Sequence, residues 1–246
     1  MVEDIIKGSE SKILQLMNED KYKDTLKELF GQNITWICPE RDNKSVFHEH
    51  QLTNKNVVKR LKLKKDAWKD FWPTRQPTWD GIIINENVEG SFDTVYLIEA
   101  KSHLTESLRR YSRGKELNEQ QRKNDKMILQ SIQNVAWTSY GIKIKQDNKY
   151  WLKTYFQVAN RLAFHQKLKD NLEGKTVRLI FLIFLNDPTW KEGKTQTDWD
   201  KKFDTIFEEM GLNRNILKKQ GVDIKYVDAS SYEDCIKKKH YSHNLK

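Results

Sequence analysis

The sequence predicts an α/β sandwich, in which helices pack against a mixed β-sheet, and three observations carry this prediction. Two compact apolar runs at residues 79–85 and 94–100, separated by a polar loop that contains a glycine, are typical of a β-hairpin. Helical spacing of apolar residues follows over residues 122–140. The fully apolar run at residues 179–185 then predicts a buried strand. Because a helical crossover precedes this strand, we expect it to pair parallel to residues 94–101.

Before the hairpin, the sequence predicts two helices and one short strand. An apolar stripe predicts a helix over residues 9–30, with Gly31 as its stop, and residues 34–38 predict the strand. A second helix is expected over residues 54–70, with Asn54 as its N-cap. One side of this helix is basic, which indicates either a solvated face or a surface that contacts DNA. The basic side chains are Lys59, Arg60, Lys62, Lys65 and Lys69.

After the hairpin and the helix at 122–140, residues 141–153 suit either a small hairpin or the start of a helix. Apolar spacing predicts a helix over residues 155–172, which ends before Gly174. The remaining predicted elements are a strand at 176–185, a helix at 199–210 capped by Gly211, and a last strand at 222–227.

The organisation of the chain predicts one domain over residues 1–246, because the sequence contains no repeat and no linker rich in Gly, Ser or Pro. A hydrophobic content of 37% and an aromatic content of 11% are enough for a sizeable core and argue against a disordered chain. Two distant cysteines, Cys38 and Cys235, do not support a disulfide framework and favour a reducing compartment. The first residues do not resemble a signal peptide, and the longest apolar run is too short to span a bilayer. We therefore expect a soluble, cytoplasmic protein with no membrane partner.

The net charge of +9 favours a polyanionic partner, since each Lys or Arg placed on a phosphate releases a counterion. The alternatives are a Lys-rich surface without a partner and a surface that binds an acidic protein. No Gly-rich phosphate loop is present, which argues against a nucleotide-driven motor. The sequence thus predicts a nucleic acid, and DNA first, as the partner.

Three ionisable residues at the ends of the hairpin strands are the candidates for chemistry. Asp80 opens the first strand, while Glu99 and Lys101 close the second and, as alternate residues, share one face. The hairpin can fold Asp80 back beside Glu99, and a cation would relieve the repulsion between two such carboxylates. Their hard oxygen atoms suit Mg²⁺ or Mn²⁺. The simpler interpretation is a surface ion pair with Asp80 in a turn, but charges that end so apolar a strand are costly to place.

This pattern, Asp80 followed by Glu99-Ala100-Lys101, resembles the signature of the PD-(D/E)xK nuclease superfamily, also called restriction endonuclease-like. The resemblance implies that Asp80 and Glu99 bind the divalent metal and that Lys101 assists the attacking water. It also implies an αβββαβ core with a mixed central sheet flanked by helices, together with additional N- and C-terminal helices. We expect the catalytic core at about residues 75–185, an N-terminal helical elaboration at 1–74 and a C-terminal helix and strand extension at 186–246.

The sequence departs from the family pattern just before the aspartate. The family's proline normally precedes the Asp directly, whereas here Trp79 takes that place and Pro77 lies earlier. Many members add an upstream helical Glu near the metal, and some place a Gln on the helix after the second strand. The candidates are Glu49 or Glu28 for the acid and Gln133 or Gln130 for the amide.

Two further segments offer weaker candidates. His48-Glu49-His50 contains metal-binding residue types, but adjacent residues point apart and the HExxH spacing of a helical zinc site is missing. A segment after Lys101 mixes guanidinium and aromatic groups, which suits phosphate clamping or base stacking, or equally a basic loop. Its residues are Arg109, Arg110, Tyr111 and Arg113.

Two functions follow as expectations. The first is a metal-dependent nuclease that hydrolyses phosphodiester bonds of DNA, and the alternative is a catalytically silent nucleic-acid-binding module of the same fold. The choice between DNA and RNA, between duplex and single strand and between internal and terminal cuts stays open. A homodimer would suit cleavage of both strands of a duplex, but the sequence indicates no interface residues.

Overall fold

The computed structural model describes residues 5–6, 8–41, 47–64, 66–87, 90–107, 117–188, 194–232 and 236–237. Their elements alternate between strands and helices. In chain order they are β1 (Ile5–Ile6), α1 (Gly8–Asn18), a 3-10 turn (Asp20–Tyr22), α2 (Lys23–Phe30), β2 (Ile34–Cys38), β3 (Glu40–Arg41), β4 (Phe47–His48), α3 (Lys55–Leu61), β5 (Gly81–Glu86), β6 (Phe92–Lys101), a 3-10 turn (Leu104–Ser107), α4 (Glu119–Tyr140), a π-helical turn (Tyr150–Thr154), α5 (Phe156–Asn171), β7 (Thr176–Leu185), α6 (Gln196–Met210), α7 (Arg214–Gln220), β8 (Val222–Asp228) and β9 (Ile236–Lys237).

A five-stranded mixed sheet forms the centre of the fold, with the strand order β2-β5-β6-β7-β8. The first three strands are antiparallel, whereas β7 pairs parallel to β6, and β8 pairs parallel to β7. The predicted α/β class, the hairpin and the parallel pairing after a helical crossover are therefore confirmed. Among the described residues, two short antiparallel pairs, β1 with β9 and β3 with β4, lie outside this sheet.

Helices cover both faces of the sheet, and the alternation of side chains along β6 shows which face is which. Val95 and Leu97 belong to the larger core, which contains residues of α3 to α7. Ile98 and Ala100 belong to the smaller core, which contains residues of α1 and α2. Because side chains alternate along a strand, Glu99 continues the larger-core face and lies toward α5.

Two predicted helices are shorter than the apolar pattern suggested. The helix predicted over residues 9–30 is interrupted at Glu19, whose backbone is extended, and a 3-10 turn separates α1 from α2. The interruption buries Tyr22, whose ring stacks on Tyr232 with a centroid distance of 4.1 Å. The helix predicted over 54–70 begins at the expected cap, Asn54, but ends at Leu61 because Lys62 is left-handed.

Two other elements differ from the prediction, and one open choice is resolved. β5 begins at Gly81 and not at residue 79, so that Asp80 lies just before the strand. Of the two alternatives for residues 141–153, the structure has the start of a helix: a π-helical turn at Tyr150–Thr154 leads into α5. The helix α7 was not predicted, although Asn213 caps its start and Gly221 its end. In the part of the chain that the structure describes, no helix is both long and apolar enough to cross a bilayer.

Candidate active site

The hairpin places Asp80 opposite Glu99, as the sequence predicted. Gly81 pairs with Ile98 in the antiparallel register, so that the residues just beyond this pair, Asp80 and Glu99, face each other. The Asp80 carboxylate accepts a hydrogen bond from the backbone N–H of Ala100, with an N–O distance of 2.6 Å. This bond fixes the carboxylate at the end of β6, between the two residues that the sequence paired with it.

The neighbours of Asp80 explain the Trp-Asp-Gly sequence. Trp79 is fully buried and its backbone N–H donates to the carbonyl of His50 over 3.0 Å. Gly81 lies under the ring of Trp36, and a Cβ atom there would come within 2.9 Å of that ring. Asp80 is therefore held between Trp79, which is anchored, and Gly81, where a side chain does not fit.

Glu99 is the centre of a buried network of three donors. Its Oε1 accepts from the Lys101 ammonium and from Nε2 of Gln157, the latter over 2.6 Å. Its Oε2 accepts from Nε of Arg161 over 2.5 Å. Glu99, Lys101 and Arg161 are each exposed by 7% or less, so these charges depend on one another rather than on water. Lys101 also donates to the Ala100 carbonyl, over 3.1 Å.

Arg161 ties this network to the strand that carries Asp80. Its Nη2 donates to the carbonyl of Thr78 over 2.8 Å, and its guanidinium lies 4.5 Å from the centre of the Trp79 ring. A planar guanidinium suits this double role, since it can bond a carboxylate edge-on while its face stacks on an aromatic ring. Arg161 thus links α5, Glu99 and the segment before Asp80.

The two carboxylates have opposite electrostatic environments. Burial, followed by the negative charge of Glu99, raises the pKa of Asp80 well above its usual range. Burial would also raise the pKa of Glu99, but the charges of Arg161 and Lys101 outweigh it and hold that pKa below its ordinary value. Glu99 is therefore stabilised as an anion by the protein itself, whereas Asp80 accepts only one backbone hydrogen bond among the described residues.

The three predicted residues line one polar cavity of about 380 Å³. Glu49 also lines it and Glu28 does not, which favours Glu49 as the additional acid. Glu49 lies in a loop, however, and the acid that a helix contributes is Glu10 of α1, which the sequence analysis missed. The cavity-lining residues are Ser9, Glu10, Glu49, Thr78, Asp80, Glu99, Lys101, Thr105, Gln157 and Arg161.

The amide beside Glu99 comes from a different helix than predicted. Gln133 on α4 donates to the carbonyl of Ile144 over 3.1 Å, and Gln130 is exposed. Neither residue lines the cavity, and Gln157 on α5 fills the role. A signal for α5 was present in the sequence: Gln157 and Arg161 are four residues apart, on one face of a helix whose neighbouring positions are apolar.

The other candidate residues lie away from the cavity or outside the described residues. His48 is exposed, and His50 pairs with Glu40 over 2.8 Å. On the basic side of α3, Arg60 pairs with Glu86 at the far end of β5, while Lys59 and Lys62 are exposed. Arg109, Arg110, Tyr111 and Arg113 lie outside the described residues, as do Lys65 and Cys235.

The oxygen atoms around Asp80 fit a hard divalent cation. Among the described residues, no three His, Cys, Asp or Glu side chains form a ready metal-binding group. Mg²⁺ commonly needs only one or two carboxylates, and it completes its octahedron with water and substrate phosphate. Asp80 supplies one carboxylate, and the charge of Lys101 acts on it without outweighing its burial and the negative charge of Glu99. Glu99 and the Ala100 carbonyl lie beside it. Sulfur and imidazole donors are missing from the described lining, which disfavours a zinc site.

Comparison with known proteins gives no relative for this chain: no family model matches it, and neither a curated protein nor a solved structure is significantly similar. The residues of the cavity are therefore the evidence from which a function can be inferred.

Proposed function

We propose that the chain is a metal-dependent nuclease that hydrolyses phosphodiester bonds of DNA, with Asp80, Glu99 and Lys101 as its catalytic residues. One observation carries the proposal: these three side chains meet at the end of a hairpin, in one polar cavity of about 380 Å³. Charged residues are rarely buried without a partner or a function. A helical region, the antiparallel strands β2, β5 and β6, two helices and the parallel strand β7 follow one another, with β3, β4 and α3 inserted between β2 and β5; this order also suits the restriction endonuclease-like core that the motif implies.

The metal would be held by Asp80 and Glu99, with the Ala100 carbonyl as a third protein oxygen, and Mg²⁺ or Mn²⁺ suits this set. When bound, the cation supplies polarisation of the phosphodiester and a lower pKa for an attacking water. The proposal gives a reason for the raised pKa of Asp80: burial and the negative charge of Glu99 outweigh the charge of Lys101, and a bound cation would offset both.

The side chains around the metal position would orient the reacting groups. Lys101, which contacts Glu99 and the Ala100 carbonyl, would donate a hydrogen bond to the attacking water or to the phosphate oxygen that gains charge. Arg161 and Gln157 would keep Glu99 ionised and fixed in place, which makes them positioning residues. Glu49 and Glu10 would add negative potential on the cavity wall and so favour a cation there.

The alternative, a catalytically silent nucleic-acid-binding module of the same fold, is favoured by the saturation of Glu99. Both of its carboxylate oxygens already accept hydrogen bonds from Lys101, Gln157 or Arg161. In this arrangement Glu99 acts as the centre of a structural ion network, and it would have to share an oxygen in order to bind a metal. Binding of nucleic acid without metal-dependent turnover would identify this function.

A cleavage assay distinguishes the two. Supercoiled plasmid and single-stranded DNA are incubated with the protein and Mg²⁺ or Mn²⁺, with EDTA as the metal-free control. We expect nicking or degradation with metal and none with EDTA. Lys101→Ala or Asp80→Asn should lower the cleavage rate at least a hundredfold, which corresponds to about 3 kcal/mol of transition-state stabilisation. The matched control is Lys175→Ala, since Lys175 precedes β7 at the opposite end of the sheet. Equal cleavage by Lys101→Ala and the wild type would contradict the proposal.

A further inference from the structure

A second, larger cavity lies next to the candidate active site. It is a groove of about 990 Å³, formed by the segment before Asp80 together with the helices α4 and α5. Its volume is at the upper end of the roughly 300–1,000 Å³ that ligand pockets usually have. Nothing in the catalytic proposal accounts for it.

The groove and the active-site cavity share two stretches of chain. On α5, Phe156 and Asn160 line the groove while Gln157 and Arg161 line the cavity. In the segment before β5, Pro77 lines the groove and Thr78 lines the active-site cavity. Because consecutive Cα atoms are about 3.8 Å apart, a ligand in the groove would lie within a few residues' reach of Asp80.

The lining of the groove combines three kinds of group that bind nucleotides. Lys69 and Arg75 are exposed cations that suit phosphates. The partly exposed ring of Phe156 offers a surface for stacking. Asn124 and Asn160 are amides whose oxygens accept from Gln120 and Arg161, and their NH2 groups can donate to acceptors on the edges of bases.

One buried atom in the groove lacks a partner. Gln76 is only 5% exposed, and its Oε1 accepts no hydrogen bond from any described residue. A buried amide oxygen left in this state costs about 1–3 kcal/mol. An N–H or O–H donor on a ligand that enters the groove would satisfy it.

From these observations we infer that the groove binds unpaired nucleotides of the nucleic acid strand that the active site acts on. This inference rests on the proposed function and adds to it a preference for single-stranded substrate. Gln76 lines the groove and is 5% exposed, and an unpaired base can turn its Watson–Crick edge, with its N–H donors, toward such a residue. In a duplex the donors that remain free lie on the groove edges of stacked base pairs, between the two backbones, and are harder to bring to a buried oxygen.

Binding without cleavage tests the inference. A fluorescently labelled 12-nucleotide single strand, as DNA and as RNA, and the matching DNA duplex are titrated with the protein in EDTA, and anisotropy is measured. We expect at least tenfold tighter binding of one of the single strands than of the duplex. Gln76→Met should weaken that binding by about fivefold, Phe156→Ala by about tenfold and Arg75→Ala by several fold, the last effect vanishing at high salt.

The controls separate binding from folding and from catalysis. Lys219→Ala removes the same charge as Arg75→Ala from an exposed position on α7, and should bind like the wild type. Gln76→Met loses no hydrogen bond between described side chains, so its thermal stability should equal or exceed that of the wild type. Weak binding by a stable Gln76→Met protein therefore reports on the ligand and not on the fold.

The possible outcomes distinguish failure of the inference about the groove from failure of the nuclease proposal. Three results overturn the inference about the groove, even when metal-dependent cleavage is observed. They are groove variants that bind single strands as tightly as the wild type, a duplex that binds more tightly than the single strands, and no binding of either single strand. If the groove variants lose binding as expected and no cleavage occurs with any metal, the groove is a nucleic-acid site and the nuclease proposal fails.

Discussion

The two walls of the active-site cavity bury charge in different ways. On the wall formed by β6 and α5, Glu99 is surrounded by Lys101, Arg161 and Gln157, so that its charge is compensated within the protein. On the opposite wall, Asp80 accepts a single backbone hydrogen bond among the described residues, and the nearby lining residues Glu49 and Glu10 are also acidic. The charge of Glu99 is thus already offset by protein cations, whereas we expect an added cation to stabilise the wall of Asp80. The difference indicates that the Glu99 network supports the site and that the Asp80 wall is where a cation would bind.

The largest expected effect is the loss of the Glu99 network. Glu99→Ala should lower the free energy of unfolding by about 3–5 kcal/mol, because it leaves Lys101 and Arg161 buried without their common anion. Urea denaturation followed by circular dichroism measures this change. Glu119→Ala is the matched control, since Glu119 is exposed and pairs with Lys123 on the surface of α4, a pair worth about 0.3–0.5 kcal/mol. A loss below 1 kcal/mol for Glu99→Ala would mean that the network is not needed to bury these charges.

A neutral buried histidine on the same helix should make the stability of the protein depend on pH. His165 lies one turn beyond Arg161 on α5, is fully buried, and donates from Nε2 to the carbonyl of Val177 over 3.0 Å. Burial lowers its pKa from 6.5 to about 4. Between these two values the unfolded chain binds more protons than the folded one, so the stability that His165 contributes is complete above pH 6.5 and is lost as the pH falls toward 4.

This loss amounts to roughly 3 kcal/mol between pH 7 and pH 4, since one pKa unit corresponds to about 1.4 kcal/mol. Urea denaturation at a series of pH values should show this slope in the wild type and a smaller one in His165→Gln, which keeps an N–H donor for Val177. Identical slopes for the two proteins would show that another group causes the acid sensitivity.

Cation binding should stabilise the wall of Asp80. A divalent cation at about 100 times its Kd raises the free energy of unfolding by about 2.7 kcal/mol when it binds only the folded protein. We therefore expect Mg²⁺ or Mn²⁺ to raise the melting temperature of the wild type and to leave Asp80→Asn unchanged. Asp223→Asn is the control, because Asp223 is paired with Arg178 and lines another part of the surface. Equal shifts in the wild type and Asp80→Asn would place the cation elsewhere.

Some residues of the candidate site could be predicted from the sequence, and others could not. The hairpin, the parallel strand β7 and the meeting of Asp80 with Glu99 and Lys101 follow from local patterns, since alternation along strands and the spacing of a hairpin fix them. Gln157 and Arg161 join the site from a helix some 60 residues further along the chain. Their spacing marks one polar face of α5, but the packing of α5 on the sheet brings this face to Glu99, and no local pattern shows that contact.

The element boundaries that were wrong have the same origin. The apolar residues of 9–30 fit one helical stripe, but Tyr22 is buried against Tyr232 at the other end of the chain, and the helix breaks to allow this contact. Beyond α3, Trp68 and Phe71 turn to pack around Phe164 of α5 instead of continuing the helix. In both cases an aromatic contact that is distant in sequence overrides the local periodicity.

The smallest expected effect is that of Asp80→Asn on stability. It tests the difference between the two walls most directly, because its sign is opposite to that of Glu99→Ala. Without metal, Asp80→Asn should raise the free energy of unfolding by about 0.5–2 kcal/mol, since the amide still accepts the Ala100 N–H but carries no buried charge. Asp228→Asn is the control: Asp228 also accepts a backbone N–H, from Ser230, and this bond lowers its pKa, so that its charge is already favourable. We expect the stability of Asp228→Asn to be unchanged or lower. If Asp80→Asn instead destabilised the metal-free protein, Asp80 would be compensated within the chain as Glu99 is, and the case for a cation on its wall would fail.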